Sequence, residues 1–346
     1  MEKIARVRRV ARGPATAPLP YGTELNLSET AGFMEQNHVA GLVILKDGKI
    51  VLERYGLGFD ERSRWTSFSV AKSISATLVG AAIAEGHIRS VDDAVVRYLP
   101  TLKGSAYDGV TLRHILNMTS GVRWNEDYDD PDSDVNRCHK ATDTSLGSPL
   151  VTYLAKLPRE AEPGSKWVYK TAETDLVGEV VMAATGKTLS AYLSEKIWAP
   201  LGMEQDAYWM LRGSNELGGC CLSIALRDYA RFGLFIMNGG RIGSRQVLPQ
   251  KWMEQATSAT TASRLDGPGG VGFRGYGFQW WVGVDGPATY SARGIFGQSI
   301  HFNPAERLVI VTLSAWATPL DRRHREAEGL FQKAVTKAVG GGVDSE

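Results

Sequence analysis

The stretch "HVAGLVILKDGKIVLERYG", residues 38–56, places two apolar, β-branched runs on either side of Asp47 and Gly48. An Asp-Gly pair favours the two-residue turn of a β-hairpin, because both turn positions require positive φ angles that these residues tolerate. The sequence therefore predicts an antiparallel hairpin in the N-terminal part of the chain.

Strand patterns return only near the other end of the chain. The runs "YGFQWWVGV" (276–284), "QSIHFN" (298–303) and "ERLVIVTLSAW" (306–316) are aromatic or β-branched and are separated by turn residues. Residues 322–339 follow as an amphipathic helix. Between the two groups of strands, residues 69–255 carry mostly helical patterns with Gly and Pro punctuation.

This order predicts an α/β fold of the α+β type. One antiparallel sheet is assembled from N- and C-terminal segments and flanked by helices, with a mostly helical region inserted in the middle. We expect an N-terminal arm at 1–38, a sheet domain at 39–68 plus 256–346, and a helical region at 69–255. Together they would form one discontinuous catalytic unit.

Composition excludes several classes of partner. The chain has 346 residues, 43% of them hydrophobic, and a formal net charge of +1, so no strong field attracts nucleic acid. No stretch reaches 18 uninterrupted apolar residues, so we expect no membrane span. The basic run "EKIARVRRVARG" (2–13) is interpreted as a solvated arm rather than a targeting peptide or a nucleic-acid arm.

The three cysteines are Cys138, Cys220 and Cys221. They provide neither a disulfide framework nor the paired C-x-x-C motif of a zinc site, and adjacent cysteines bridge only with strain. We expect three reduced thiols in a cytoplasmic protein.

A candidate nucleophile stands in "TSFSVAKSISATL" (66–78), where Ser69 precedes Lys72 by three positions at the start of a helical run. Residues three apart share a helix face, so the lysine amine can reach the serine hydroxyl. A desolvated lysine with a lowered pKa can take the proton that a serine nucleophile must lose. By itself the S-x-x-K pattern is common by chance, and two ordinary residues on one face remain an alternative.

Other catalytic and metal motifs are poorly supported. The sequence contains no G-x-S-x-G elbow and no H-E-x-x-H pair. "GPGGVG" (267–272) reads as a flexible loop, because no strand precedes it and no helix follows. "DYDDPDSDVN" (127–136) resembles a calcium loop but lacks the turn glycine and the final glutamate, so we interpret it as an acidic surface loop. We expect no metal and no organic cofactor.

Four further motifs follow the S-x-x-K segment in order. They are "RHILNMTSGV" (113–122), "EPGSKWVYKTAETDLVGEVV" (162–181), "GGCCLSIALRDYARFGLFIMNGG" (218–240) and "FGQSIHFNPAERLVIVTLS" (296–314). With "SFSVAKS" (67–73) they resemble the serine β-lactamase and penicillin-binding-protein superfamily, in its class C and esterase-like branch. The resemblance runs from about residue 40 to about residue 335. Within that branch, "GVRWNEDYDDPDSDV" and "ARGIFGQ" are most similar to hydrolases of 6-aminohexanoate dimers.

The resemblance implies roles for individual residues. Ser69 would be the acylated nucleophile, and Lys72 would accept and return its proton. Tyr169, Lys170 and Thr171 occupy the family's Y-x-N motif, so Tyr169 would shuttle a proton to the leaving group and activate the deacylating water. Thr171 replaces the usual asparagine, which puts that residue's hydrogen bond to substrate in doubt. A packing aromatic is the alternative interpretation of Tyr169.

The third family motif, K-T-G or H-x-G, departs most. The matching stretch "YSARGIFGQ" (290–298) contains neither lysine nor histidine. Arg293 is a nearby cation, but a one-residue change in strand register would turn its side chain away from the site. The resemblance implies that the backbone N–H groups of Ser69 and Ile295 form the oxyanion hole.

Tyr128 is the last candidate, because family members place a tyrosine that contacts the scissile amide in the equivalent segment. A surface aromatic on an acidic loop is an equal alternative. The aspartates around it could bind a substrate ammonium, but we interpret them as a solvated charge run. The large aromatics could wall an acyl pocket or simply fill the core; they include Trp124, Trp167, Trp209, Trp280 and Trp281.

The expected function is that of a serine hydrolase that acylates Ser69 and cleaves a small-molecule ester or an unactivated linear amide. The alternatives are a β-lactamase or D-alanyl-D-alanine carboxypeptidase, for which the missing cation and the lack of a signal peptide are unfavourable, and a catalytically silent binding or sensor domain. Oligomeric state and the choice between ester and amide stay open.

Overall fold

The computed structural model describes residues 6–260, 273–283 and 288–340. The strands, numbered in chain order, are β1 (Val7–Val10), β2 (Val39–Lys46), β3 (Lys49–Tyr55), β4 (Trp65–Thr66), β5 (Ala207–Arg212), β6 (Asn215–Glu216), β7 (Leu222–Ile224), β8 (Arg241–Ile242), β9 (Arg245–Gln246), β10 (Gly275–Gly277), β11 (Trp280–Val282), β12 (Tyr290–Gly294), β13 (Gln298–Asn303) and β14 (Leu308–Ser314). The "GPGGVG" segment at 267–272 lies outside the described residues.

The helices surround and separate these strands. In chain order they are α1 (Thr30–Gln36), α2 (Val70–Ala84), α3 (Leu112–Leu116), α4 (Asp134–Lys140), α5 (Pro149–Leu154), α6 (Thr171–Thr185), α7 (Leu189–Leu193), α8 (Leu226–Met237), α9 (Trp252–Ala256) and α10 (Arg322–Val339). Short 3₁₀ turns lie at Val95–Arg97, Pro100–Leu102 and Ile295–Gly297, and a π turn at Ser194–Trp198. Across the described ranges, no helix is both long enough and apolar enough to cross a bilayer.

The main sheet confirms the predicted fold class. It has seven antiparallel strands in the order β10-β11-β12-β13-β14-β2-β3, so segments from both ends of the chain meet where β14 pairs with β2. Val43 lies opposite Val311 on one side and Glu53 on the other. The predicted hairpin is present, with Asp47 and Gly48 both at positive φ.

Alternate residues of the central strands pack against different layers, because successive side chains of a strand point to opposite faces. Leu42 and Ile44 pack with Phe331 and Val335 of α10. Val43 and Leu45 belong to the larger core on the other face, where α8 packs against β2, β13 and β14. Both faces are covered, so β2 and β14 are buried along nearly their whole length.

Helix α2 lies inside the larger core. Nearly all of its residues are buried, and it contacts α6 as well as β12 and β13. A helix that is apolar all round needs cover on every side, which the inserted helices and the sheet provide together. This position places the residue that precedes α2, Ser69, between the helical region and the main sheet.

A second, smaller sheet was not expected from the sequence. Its order is β1-β5-β7-β4, with β6 paired to β5, so strands also occur inside the region predicted to be mostly helical. The interpretation of the basic N-terminal run as a solvated arm is wrong for Val7–Val10, which pair with β5. Val10 is fully buried, and the Arg8 guanidinium lies 2.9 Å from the Glu216 carboxylate. Sequence reasoning missed this strand because it contains charged residues and because its partner, β5, is two hundred residues away in the chain.

The expectation of three reduced thiols also requires correction. The structure joins Cys220 and Cys221 in a disulfide, in a turn where Cys221 adopts a positive φ of 69°. Sequence reasoning disfavoured a bridge between neighbours because it did not anticipate this turn. Cys138 is a free, buried thiol, as expected.

Two helix glycines give a test of how closely α8 approaches the sheet. A Cβ on Gly233 would lie 2.7 Å from Val309 Cγ1, whereas a Cβ on Gly329 of α10 would meet nothing within 4 Å. Overpacking costs about 1–3 kcal/mol, and alanine favours a helix over glycine by about 0.5–1 kcal/mol. We therefore expect Gly233→Ala to lower the free energy of unfolding by about 1 kcal/mol and Gly329→Ala to raise it by about 0.5 kcal/mol.

Urea unfolding followed by circular dichroism measures both changes. Equal effects of the two substitutions would contradict the close contact between α8 and β14.

Candidate active site

Ser69 lies immediately before α2, at the end of a tight turn. Its backbone is close to helical, with φ −70° and ψ −4°, while the preceding Phe68 has a positive φ of 42°. A bulky residue at positive φ is strained, and such strain persists only where surrounding contacts impose it. The Phe68 ring packs 5.0 Å from that of Phe296, between centroids. The turn presents the Ser69 hydroxyl at the wall of a cavity.

Lys72 is buried, with 1% of its surface exposed, and its amine is held by three acceptors. Nζ lies 3.0 Å from Ser69 Oγ, 3.1 Å from Thr171 Oγ1 and 2.8 Å from the Gly219 carbonyl oxygen. Burial lowers the pKa of Lys72 to about 8, against the opposing effects of the Glu126 and Asp175 carboxylates. A useful fraction of Lys72 is therefore neutral near physiological pH.

Hydrogen bonds to Thr171 and Gly219 orient the neutral Lys72 amine. A neutral lysine has two N–H donors and one lone pair, and Thr171 and Gly219 accept from the two donors. The lone pair then faces Ser69 Oγ, where a general base must point. Gly219 is itself held, because its N–H donates to Asp175 Oδ1 over 2.8 Å.

Tyr169 lies against both residues of the pair. It hydrogen-bonds with Ser69, and its ring centroid is 5.2 Å from Lys72 Nζ. Burial raises the pKa of the Tyr169 phenol, an effect that the hydrogen bond with Ser69 partly opposes and the charge of Glu126 reinforces. The ring stacks on Trp281 with 5.8 Å between centroids. The phenol thus stays protonated at neutral pH, and its ring is held in place beside Ser69.

Sequence reasoning missed Glu126. Its carboxylate accepts hydrogen bonds from the Thr171 hydroxyl, from the Thr171 N–H at 2.9 Å, from the Tyr128 hydroxyl at 2.9 Å and from the Trp124 indole. Glu126 directly precedes the acidic run that was interpreted as solvated, and it was not considered separately. Asp127, the first residue of that run, is exposed, whereas Glu126 is only partly exposed. The signal was the pattern Trp124-x-Glu126-x-Tyr128, whose alternate side chains meet at one point.

Thr171 does not point its hydroxyl into the cavity. The hydroxyl accepts from Lys72 and donates to Glu126, so it connects the buried amine to a carboxylate at the cavity wall. The family's asparagine is therefore replaced here by a hydroxyl that positions Lys72. Tyr128 lies at the cavity wall, and its phenol donates a hydrogen bond to Glu126. Its contact with a scissile amide stays a prediction.

The end of β12 passes close to the backbone of Ser67 and Ser69. A Cβ on Gly294 would lie 2.7 Å from the Ser67 carbonyl oxygen and 3.1 Å from Ser69 N, so only glycine allows this approach. Gly294 and Ile295 both line the cavity. Among the residues that the structure describes, the N–H groups of Ser69 and Ile295 have no hydrogen-bond acceptor in the protein. Both donors are thus available beside Ser69 Oγ.

Arg293 also lines the cavity, although its guanidinium is turned towards α10. Nη1 donates to Glu328 Oε2 over 3.3 Å, and the guanidinium carbon lies 4.7 Å from the Phe273 ring centroid. The residue is 6% exposed. The strand register therefore places Arg293 at the cavity wall, while its guanidinium pairs with Glu328 of α10.

The cavity has a volume of about 510 Å³, in the range of small-molecule sites. Its wall is formed by Ser69, Glu126, Tyr128, Tyr169, Phe273, Trp281, Arg293, Gly294, Ile295, Leu320, Asp321, Arg322 and Arg325. Of the five tryptophans considered from the sequence, Trp281 lines it, whereas Trp209 and Trp280 are core residues. Lys72 and Thr171 lie behind the wall. Throughout the described ranges, no three His, Cys, Asp or Glu side chains are grouped to hold a metal ion.

Comparisons with known proteins identify the family of the chain. The family model described as Beta-lactamase matches residues 28–334. A 6-aminohexanoate-dimer hydrolase from Paenarthrobacter ureafaciens is 30% identical over 327 residues, covering 90% of this chain and 82% of the relative. Esterase EstB from Burkholderia gladioli is 31% identical over 184 residues, 48% of this chain and 46% of the esterase.

A solved structure from Bacillus anthracis, provisionally assigned as a 6-aminohexanoate-dimer hydrolase, superimposes with a TM-score of 0.82. It is 24% identical, and the match covers 95% of this chain and 90% of that one. This structural likeness confirms the predicted fold, and the family model confirms the resemblance seen in the motifs. The chain belongs to the β-lactamase family of serine hydrolases.

Proposed function

We propose that this protein cleaves small esters or unactivated linear amides through an acyl-enzyme on Ser69. The observation that carries the proposal is the buried Lys72 amine, 3.0 Å from Ser69 Oγ, with its other two hydrogen-bonding directions occupied. A serine with such a base is an activated nucleophile. The names of the two curated relatives, a dimer hydrolase and an esterase, support an amide or ester substrate.

In the acylation step, Ser69 Oγ attacks the substrate carbonyl carbon while Lys72 Nζ takes the hydroxyl proton. The negative charge that develops on the carbonyl oxygen is stabilised by the N–H groups of Ser69 and Ile295. The tetrahedral intermediate collapses when the bond to the leaving group breaks. Tyr169 gives its phenolic proton to the leaving amine or alkoxide and regains one from Lys72, so both side chains return to their starting states.

Deacylation repeats these steps with water in place of the leaving group. Tyr169 accepts a proton from the water, its own proton passes to Lys72, and the hydroxide oxygen attacks the acyl carbon. Collapse breaks the ester bond to Ser69 Oγ, which recovers the proton from Lys72. Closely packed aromatic rings around Tyr169, including Trp281 and Tyr276, hold its ring in place for both proton transfers.

The β-lactamase and carboxypeptidase alternative is less well supported. The lysine or histidine of the third motif is missing, and Arg293 in that stretch already donates to Glu328. The silent-domain alternative does not account for an amine buried beside a serine, because burying a lysine costs free energy that binding alone does not require.

The proposal is tested by removing the nucleophile. We expect Ser69→Ala to lower kcat for p-nitrophenyl butyrate and for the linear 6-aminohexanoate dimer by at least about 10,000-fold. The thermal midpoint should stay unchanged, because only a hydroxyl group is lost. Intact-mass spectrometry of the wild-type protein with a slow ester should show an acyl adduct on Ser69.

Nitrocefin serves as the comparison substrate. Rapid nitrocefin cleavage with no turnover of the ester or the amide would contradict the proposal and indicate a β-lactamase instead. Near wild-type turnover by Ser69→Ala would contradict the nucleophile assignment.

A second prediction concerns pH. Lys72 accepts a proton only when neutral, so kcat/KM should rise with pH through the pKa of Lys72, which burial lowers to about 8. The Glu126 charge raises that pKa, so Glu126→Gln should move the rising limb of the pH profile to lower pH.

Asp127→Asn is the matched control, because Asp127 is an exposed neighbour and makes the same change in charge. Its profile should follow the wild-type curve. If the rising limb of the pH profile stays in place or moves to higher pH in Glu126→Gln, the Glu126 charge does not raise the pKa of Lys72.

A further inference from the structure

A lysine and a glutamate that the proposed mechanism does not use are buried at the start of α6. Lys170 stands between Tyr169 and Thr171 in the chain, and 1% of its surface is exposed. Glu173 follows one turn later and is fully buried, and its Oε1 lies 3.6 Å from Lys170 Nζ. A buried ion pair contributes little net stability, because the desolvation of both charges offsets their attraction. The presence of this pair in the core therefore calls for a reason other than stability.

The pair connects two segments of the chain. Lys170 Nζ donates to Ser120 Oγ over 3.0 Å, and the Lys170 N–H donates to Met118 Sδ over 3.3 Å. The Glu173 N–H donates to the Lys170 carbonyl oxygen. Burial raises the pKa of the Glu173 carboxyl, an effect that the Lys170 charge and the hydrogen bond with Ser120 oppose. Lys170 is thus joined to the segment 118–120 as well as to the first turn of α6.

The backbone conformation of Lys170 relates this pair to the active site. Lys170 is the N-cap residue of α6 and is extended, with φ −140° and ψ 101°. Successive side chains of an extended chain point to opposite sides. Tyr169 and Thr171 accordingly share one side, which faces the nucleophile and its base, while Lys170 points to the other. The contacts of Lys170 therefore fix the segment that carries Tyr169.

Tyr169 and Thr171 differ in how else they are held. Thr171 has an anchor of its own, because its N–H and its hydroxyl both donate to Glu126. Tyr169 depends on ring contacts such as the stacking on Trp281, which are less directional than hydrogen bonds. Its phenol must nevertheless come within hydrogen-bond distance of the leaving group. A misplacement of about 1 Å can cost about 100-fold in rate, so loss of the Lys170 contacts should affect Tyr169 more than Thr171.

We propose that Lys170 and Glu173 are positioning residues, and that their buried ion pair holds Tyr169 where it gives its phenolic proton to the leaving group. The inference rests on the proposed hydrolase function and adds two residues that act on the reaction through Tyr169. Neither residue lines the cavity. The step itself is unchanged: the proton passes to the leaving oxygen or nitrogen as its bond to the carbonyl carbon breaks, and Lys72 returns a proton to Tyr169.

Two butyrate esters test the proposal, because they share the acyl group and differ in the leaving group. 4-Nitrophenyl butyrate releases a stable phenolate that needs no proton, whereas ethyl butyrate releases an alkoxide that does. The test variant is Lys170→Met/Glu173→Gln, since removal of one charge alone would leave the other buried and unpaired. We expect kcat/KM to fall by about 10- to 100-fold for ethyl butyrate and by less than about threefold for 4-nitrophenyl butyrate, with the thermal midpoint close to that of the wild type.

Two further variants control for other causes. Lys187→Met/Glu195→Gln removes an exposed ion pair and should leave the ratio of the two kcat/KM values unchanged. Tyr169→Phe removes the phenol and should lower kcat/KM for ethyl butyrate relative to 4-nitrophenyl butyrate. Added to Tyr169→Phe, the substitutions at Lys170 and Glu173 should change the ratio no further, because the group through which they act is already gone.

Equal losses for both esters, or an unchanged ratio in a folded variant, would overturn the inference and leave the ion pair a structural feature. A further change of the ratio in the Tyr169→Phe background would also overturn it. If the variant at Lys170 and Glu173 does not fold, Ser120→Ala takes its place, because it removes one hydrogen bond of Lys170 and keeps the ion pair. A selective loss for ethyl butyrate in Ser120→Ala would then support the inference, and an unchanged ratio would overturn it.

Failure of the inference is distinguishable from failure of the proposed function. Ser69-dependent hydrolysis of 4-nitrophenyl butyrate by the wild-type enzyme would leave the function standing whatever the variants show. Absence of Ser69-dependent turnover of both esters and of the linear amide would instead contradict the function itself.

Discussion

The properties of the site depend on the burial of one lysine amine. Lys72 loses its solvation shell inside the core, and that loss lowers the pKa of the amine to about 8. On the surface the same side chain would be protonated at neutral pH and could not accept the Ser69 proton. Burial is tolerated because three acceptors from three separate segments surround the amine: Ser69, Thr171 and Gly219.

Two carboxylates limit the effect of burial. Glu126 and Asp175 both favour the charged form of Lys72, so the amine is neither fully charged nor permanently neutral. Each also holds one of the amine's acceptors, Glu126 through the Thr171 hydroxyl and Asp175 through the Gly219 N–H. The same two groups therefore influence both the charge and the orientation of the Lys72 amine. This coupling gives a physical reason why threonine can stand where the family has asparagine.

Much of the fold was predictable because its signals are local. Each of several short patterns predicts one element: the Asp47-Gly48 turn, the apolar runs of β2 and β14, and the helical run after Ser69. The order of these elements implies a sheet built from both ends of the chain. The missed elements depend on distant partners. The charged segment Val7–Val10 is a strand because it pairs with β5, and the Cys220–Cys221 bridge lies in a turn in which Cys221 has a positive φ.

The sequence by itself determined the family, because ordered motifs indicate one, and it named the candidate reacting groups, because residues three apart on a helix share a face. Only the tertiary structure decided what those groups experience. It brought Glu126 to Thr171, passed Gly294 over Ser69 N, and turned Arg325 of α10 towards the cavity. Burial, charge coupling and donor direction arise between segments that are far apart in the chain, so no local pattern of residues encodes them.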